Sequence, residues 1–211
     1  MRSSKAFSVR WTAESRGMRW VALSGVAFVG FFVIAVVLFG SGAGRQPTEI
    51  AVYYSDHGDR VRQIAGFYAL GIAVLFLVWF SNVLCRALDA PLVLAAGTLT
   101  GALLLGAGGL WAATAITVQH EQGFVLDPST HLIIEDAGFA LFLGAMLAAL
   151  GFVATASVAI LRTRRLPAPL GAVGLLVAAS LTAAWYYLPL FALLAWVLAT
   201  SLFCLRHHAR V

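Results

Sequence analysis

Charged residues in this chain gather into short clusters, and between the clusters run uncharged, mostly apolar stretches of 22 residues or more. A hydrocarbon core ~30 Å thick takes about 20 apolar residues per helix, so each stretch is long enough to cross a bilayer. Lipid offers the backbone no hydrogen bonds, so a spanning segment has to satisfy its own, and a helix does so. A membrane β-barrel would instead show strands of about 10 alternating residues. The pattern divides into six spans, at about 20–42, 64–85, 92–118, 137–161, 167–185 and 189–205. The last two come from one uncharged stretch, Leu166 to Leu205, too long for a single span at ~1.5 Å per residue. Its break is expected at Trp185-Tyr186-Tyr187-Leu188-Pro189, where aromatic rings suit the headgroup layer and Pro189 suits a first helical turn.

Local signals mark the ends of these elements. Thr48 and Glu49 after Pro47 predict a short interfacial helix that Gly58 would end. Arg86, Asp89 and Pro91 predict a tight turn that makes spans two and three antiparallel neighbours. Asp127-Pro128 has the form of an N-cap followed by proline at the first helical position. Helix four therefore starts ahead of its membrane segment and carries His131, Glu135 and Asp136 into Ala137–Leu161. Span three holds Gly97-x-x-x-Gly101, Gly106, Gly108 and Gly109. Small residues let helix backbones approach closely in lipid, which makes this the expected central helix; a cavity or hinge is the rival use of the same glycines. Trp20 to Gly44 ends in Ser41-Gly42-Ala43, which has the look of a signal-peptide cleavage site. Its apolar core exceeds the about 7–15 residues of such a segment, so an uncleaved first span is expected.

Composition agrees with the pattern: 61% of the 211 residues are hydrophobic and 11% charged, and the mean hydropathy is +0.91. A net charge of +5 would suit nucleic acid, but eleven of the fourteen basic residues fall in segment 1–19, at Arg86, in Arg162–Arg165 and in tail 206–211. The six-span arrangement puts all of these on one side and leaves Arg45, Arg60 and Arg62 on the other. Basic residues favour the cytoplasmic side, so both termini are expected there, and no nucleic-acid-binding module is present. Cys85 and Cys204 sit at inner helix ends, where a reducing cytosol keeps thiols.

The span centres carry no ionisable residue, which argues against a pump or proton-coupled transporter. Candidate chemistry collects instead on the outer side, at His57, Arg60, Arg62, His120, Glu121, His131, Glu135 and Asp136. Imidazole and carboxylate are transition-metal ligands, and His131 and Glu135, four apart, share a helix face. His57, His120, His131 and Glu135 thus form a candidate metal set, although ordinary solvated loops hold the same residue types and no H-E-x-x-H occurs. Arg60 and Arg62 are expected to pair with Glu135 and Asp136 across helices two and four, with snorkelling to lipid phosphate as the rival. An acid–base role for Glu135 or Asp136 on a lipid headgroup would need a carboxyl pushed towards neutrality by burial. Tyr53-Tyr54 and Trp185-Tyr186-Tyr187 suit either a cover over an outer cavity or an interfacial belt. Arg162 to Arg165 suits anionic lipid as well as topology, and His207-His208 suits chelation as well as a solvated tail. Phosphate-binding loops and hydrolase elbows are absent from the sequence.

Ala51-Val52-Tyr53-Tyr54-Ser55-Asp56-His57-Gly58-Asp59-Arg60-Val61-Arg62, then Phe76-Leu77-Val78-Trp79-Phe80, then Asp136-Ala137-Gly138-Phe139-Ala140 and Arg162 to Pro169, resemble a group of small multi-pass membrane proteins of unknown function widespread in actinobacteria. The resemblance covers most of the chain from about Thr48 and implies a membrane location without a substrate, cofactor or catalytic residue. The expectation is an all-α bundle of six transmembrane helices in the bacterial plasma membrane: a basic segment 1–19, a membrane domain 20–205 and a tail 206–211. Its role would be a non-enzymatic accessory, scaffolding or small-ligand-binding one, with lipid around it and a membrane protein or second copy as partner. The alternatives are an embedded enzyme or metal-binding protein using the outer His/Glu cluster, and a carrier for an apolar solute.

Overall fold

The computed structural model describes residues 23–40, 42, 44–121, 124–186 and 188–208, and of Tyr186 and residues 206–208 the backbone alone. Expectations that fall on segment 1–19, Trp20, Ser41, Ala43, Tyr187 and the end of the tail lie outside the described residues, as do the side chains of Arg206, His207 and His208. The described residues are helical, with no strand among them. After α1 (Leu23–Phe39) come α2 (Pro47–Ser55), α3 (His57–Leu88), α4 (Pro91–His120), α5 (Pro128–Thr163), α6 (Ala168–Ser180) and α7 (Leu188–His208). A 3-10 segment, Leu181–Tyr186, joins the last two helices.

Five stretches are long and apolar enough to cross a membrane: α3, α4, α5, Ala168–Trp185 and Leu188–Leu205. The described part of α1 is apolar and shorter. Leu75, Leu147 and Leu176 stand exposed in mid-helix. Such side chains crowd the outside of a bundle whose surroundings are lipid, because hydrocarbon places no penalty on them.

The centre is α4, packed along both α3 and α5. Its glycines explain how. A Cβ on Gly97 would strike the Ser81 side chain, one on Gly101 would come within 2.9 Å of Val74, and one on Gly108 would strike Leu70. All three neighbours belong to α3, so these glycines are packing positions. On α4's other flank, the Gly106 position faces Leu141 of α5 at 3.2 Å. The core then fills with Phe28, Phe80, Leu84, Met146, Phe152 and Ile160, each at most 1% exposed.

Helix ends follow their local chemistry. Asp127 accepts from the Thr130 amide at 2.9 Å and its hydroxyl at 2.7 Å, with Pro128 opening α5. Asp89 closes α3 in the left-handed region (φ 53°) and Pro91 opens α4. The expected break in the final apolar stretch appears as the 3-10 segment before Leu188. One expectation fails. The short helix α2 ends at Ser55, not at Gly58, and α3 starts at His57, ahead of the apolar span expected at 64–85. The cause is Asp56, whose carboxylate accepts the Asp59 amide at 3.0 Å and so caps α3. Gly58 sits inside the first turn of α3.

Candidate functional site

At the end of the bundle where α2 lies, the chain leaves α1 through Gly40 (φ +62°) and Gly42 (φ +69°), left-handed conformations that glycine adopts at little cost. α2 then begins with the Glu49 carboxylate accepting the Gln46 amide at 3.1 Å. It turns Ile50 and Tyr54 inward against Ala115 of α4. Below this crossing is a cavity of about 680 Å³, bounded by α1, α3, α4, α5, the 3-10 segment and the start of α7.

Aromatic rings make up much of its wall. Phe39 meets Trp111 edge-on at 6.0 Å, Trp111 lies 6.0 Å from Phe142, Phe142 stacks with Phe139 at 6.1 Å, and Phe139 meets Trp185 edge-on at 5.2 Å. Aliphatic side chains such as Leu70 and Leu104 continue the surface. Edge-to-face contacts of this kind hold rings in fixed orientations.

One side of the cavity is polar. Gln63, only 5% exposed, donates from Nε2 to the Trp111 carbonyl at 2.9 Å, and its Oε1 is buried with no hydrogen-bond partner. The Trp111 carbonyl can only accept, which fixes the amide orientation. His131, also 5% exposed, is held through Nδ1 by the Thr114 hydroxyl at 3.0 Å and edge-on against the Tyr54 ring at 5.0 Å. Its Nε2 is buried and unpartnered, as is Oε2 of Glu135 one turn further along α5. Burial pushes the Tyr54 phenol up to about 12, although Gln63 and Thr114 beside it pull the other way. At the rim, Arg45 donates to both carboxylate oxygens of Asp136, at 3.2 and 3.3 Å. Outside the cavity, the Thr130 hydroxyl and amide hold the Asp127 carboxyl below its usual value.

The expected outer cluster divides. His131, Glu135 and Asp136 line the cavity, whereas His57, Arg60, Arg62, His120 and Glu121 do not. His57 is exposed in the first turn of α3, and His120 folds back through Nδ1 onto the Ile116 carbonyl of its own helix at 2.9 Å. Glu121 is exposed just beyond α4. No group of three or more His, Cys, Asp or Glu side chains able to hold a metal forms among the described residues. The set His57, His120, His131 and Glu135 is therefore not assembled, because its members point to different surroundings. The expected ion pairing is corrected as well. Arg60 donates to Gln119 at 3.0 Å and to the Tyr54 carbonyl, Arg62 pairs with Asp59 at 3.3 Å, and Asp136 takes Arg45 instead. Arg60 and Arg62 each have an acceptor within six residues, the Tyr54 carbonyl and Asp59, that is nearer along the chain than α5.

No protein-family model, curated protein or solved structure matches the chain. These comparisons do not bear on the resemblance to the actinobacterial group. The site therefore rests on its own geometry. A cavity of this size falls in the range of about 300–1,000 Å³ usual for small-molecule sites, which pair apolar walls with a few placed polar groups. Gln63, and Thr114 behind His131, escaped the sequence reading, whereas Tyr54 was expected there only as an aromatic cover or belt residue. The available signal was a lone amide or hydroxyl at the edge of a long apolar run.

Proposed function

We propose that this chain is a six-span protein of the bacterial plasma membrane, with both termini in the cytosol, that binds one small amphipathic molecule from its extracytoplasmic side without chemically altering it. The observation that carries the proposal is the union of a largely aromatic cavity of about 680 Å³ with three buried polar atoms, on Gln63, His131 and Glu135, that lack partners. Each buried polar atom left unpaired costs about 1–3 kcal/mol, so three on residues that line one cavity favour an occupant that brings complementary groups. The apolar walls suit the occupant's body. The clustering of basic residues at Arg86 and Arg162–Arg165, the end opposite α2, supports the orientation.

A carrier for a purely apolar solute would use the same walls but leave those polar atoms unpaired.

The test is extraction and mass spectrometry of small molecules that co-purify with the protein in nanodiscs. A stoichiometric amphipath present with the native chain and lost with Leu104→Trp, which fills the cavity, is the expected result. Equal recovery from both proteins would overturn the proposal.

A further inference from the structure

Among the described residues, the three arginines at this end of the molecule have acceptors. Arg45 is taken by Asp136, Arg62 by Asp59, and Arg60 by Gln119 and the Tyr54 carbonyl. Among the described residues that line the cavity, the unpartnered polar atoms are biased the other way. Gln63 gives one amide N–H to Trp111, and its unpartnered atom, Oε1, is an acceptor, as is the free Oε2 of Glu135. Nε2 of His131 is, among these described groups, the one able to take either role. Among the groups lining the cavity, Glu135 and Asp136 stand against Arg45 alone, a formal excess of one negative charge.

We infer that the head of the bound amphipath is a protonated primary amine, recognised by Glu135, Gln63 and His131. This rests on the binding function proposed above and names its ligand class. An ammonium brings three N–H donors and one positive charge, which match two or three free acceptors and the charge excess. Trp111, Phe139 and Phe142 line the same cavity, and aromatic rings attract a desolvated cation. A carboxylate or phosphate head would have to draw Arg45 from Asp136, leaving two lining carboxylates uncompensated beside it. An alcohol brings one donor and no charge.

The experiment is titration of the full chain in zwitterionic nanodiscs with octylamine, octanol and octanoate, read by the change in tryptophan fluorescence, to which Trp111 and Trp185 in the cavity wall contribute two of six rings. Octylamine is expected to bind about tenfold tighter than octanol, the scale of a charge-assisted hydrogen bond, and octanoate weakest. Glu135→Gln should bring the ratio of octylamine to octanol affinity close to one, while Glu121→Gln, which changes an exposed carboxylate of the same end, should keep it. If octanol or octanoate binds as tightly as octylamine, or if Glu135→Gln leaves the preference intact, the head-group inference fails and the binding function stands. Saturable binding of none of the three would overturn both. Should Glu135→Gln fail to fold, the ranking on the native chain still decides.

Discussion

Nδ1 of His131 and Oγ1 of Thr114 meet at 3.0 Å across the interface of α5 and α4, each side chain on a residue 5% exposed. The contact fixes the imidazole ring, and with it the direction in which Nε2 faces. Replacing Thr114 by Val keeps the shape but strands Nδ1, at a cost of about 1–3 kcal/mol. A thermal melt in detergent should show Thr114→Val clearly less stable than the native protein, and Thr114→Ser close to native. A Val variant as stable as native would contradict the contact.

The Arg45–Asp136 pair is expected to add little to stability, because its side chains are 68% and 62% exposed. Exposed pairs are worth about 0–1 kcal/mol and fade with salt. A double-mutant cycle on Arg45→Ala and Asp136→Ala should give a coupling within that range at low salt and near zero at high salt. By contrast, a cycle between Arg60 and Glu135 should show no coupling of contact origin, since Arg60 is held by Gln119 and the Tyr54 carbonyl.

Glycines of equal helix propensity should differ sharply when changed to Ala. At Gly97 the new methyl would lie 2.6 Å from Cβ of Ser81, a backbone-proximal atom that cannot swing away. At Gly30 it would meet nothing within 4 Å. Overpacking costs about 1–3 kcal/mol, whereas Ala in an exposed helix position gains up to about 1 kcal/mol over Gly. Gly97→Ala should therefore lower the melting temperature and Gly30→Ala hold or raise it; the reverse order would refute the α3–α4 packing described above.

Tyr54 makes stability fall at high pH. Its folded value, pushed up to about 12, exceeds the ordinary 10.0. The neutral phenol is favoured by folding, so its contribution is complete below pH 10 and is lost as pH climbs through 12. Burial raises the neighbouring Tyr53 phenol as well, so tyrosinate absorbance should show a late-titrating component that Tyr54→Phe reduces without abolishing. Asp127 acts at the other extreme. Its carboxyl is held below 3.8, so the contribution is present above that pH and lost as pH falls further, and Asp127→Asn should flatten the acid limb.

Orientation is open to a labelling test. Val125, in the α4–α5 connection, is 88% exposed. A membrane-impermeant thiol reagent should label Val125→Cys in intact cells and Arg164→Cys only after permeabilisation. Labelling with the opposite sidedness would invert the proposed topology.

The helices were legible because lipid leaves the backbone few choices: apolar run length, Asp127-Pro128, Pro91 and the aromatic break before Leu188 each act through local chemistry. The start of α3 was not, because Asp56 closes one helix and caps the next, and a capping aspartate within a polar loop looks like any other. The spacing of His131 and Glu135 correctly put both on one face. That this face lines the cavity depended on where α3 and α4 place Gln63, Thr114 and Trp111, and that is tertiary information. Likewise, the choice of Asp136 as Arg45's partner, 91 residues away, came from the path of the α1–α2 link and not from any helix period.

Ile50, Tyr54 and Ala115 form a cluster separate from the main core. Prying α2 loose would therefore disturb few side chains and leave the long helices intact. Segments fastened this lightly open by local fluctuation well before the whole molecule unfolds. Amide exchange should find α2 the earliest to breathe, and the rate of that breathing would then set how quickly anything enters or leaves the chamber beneath it.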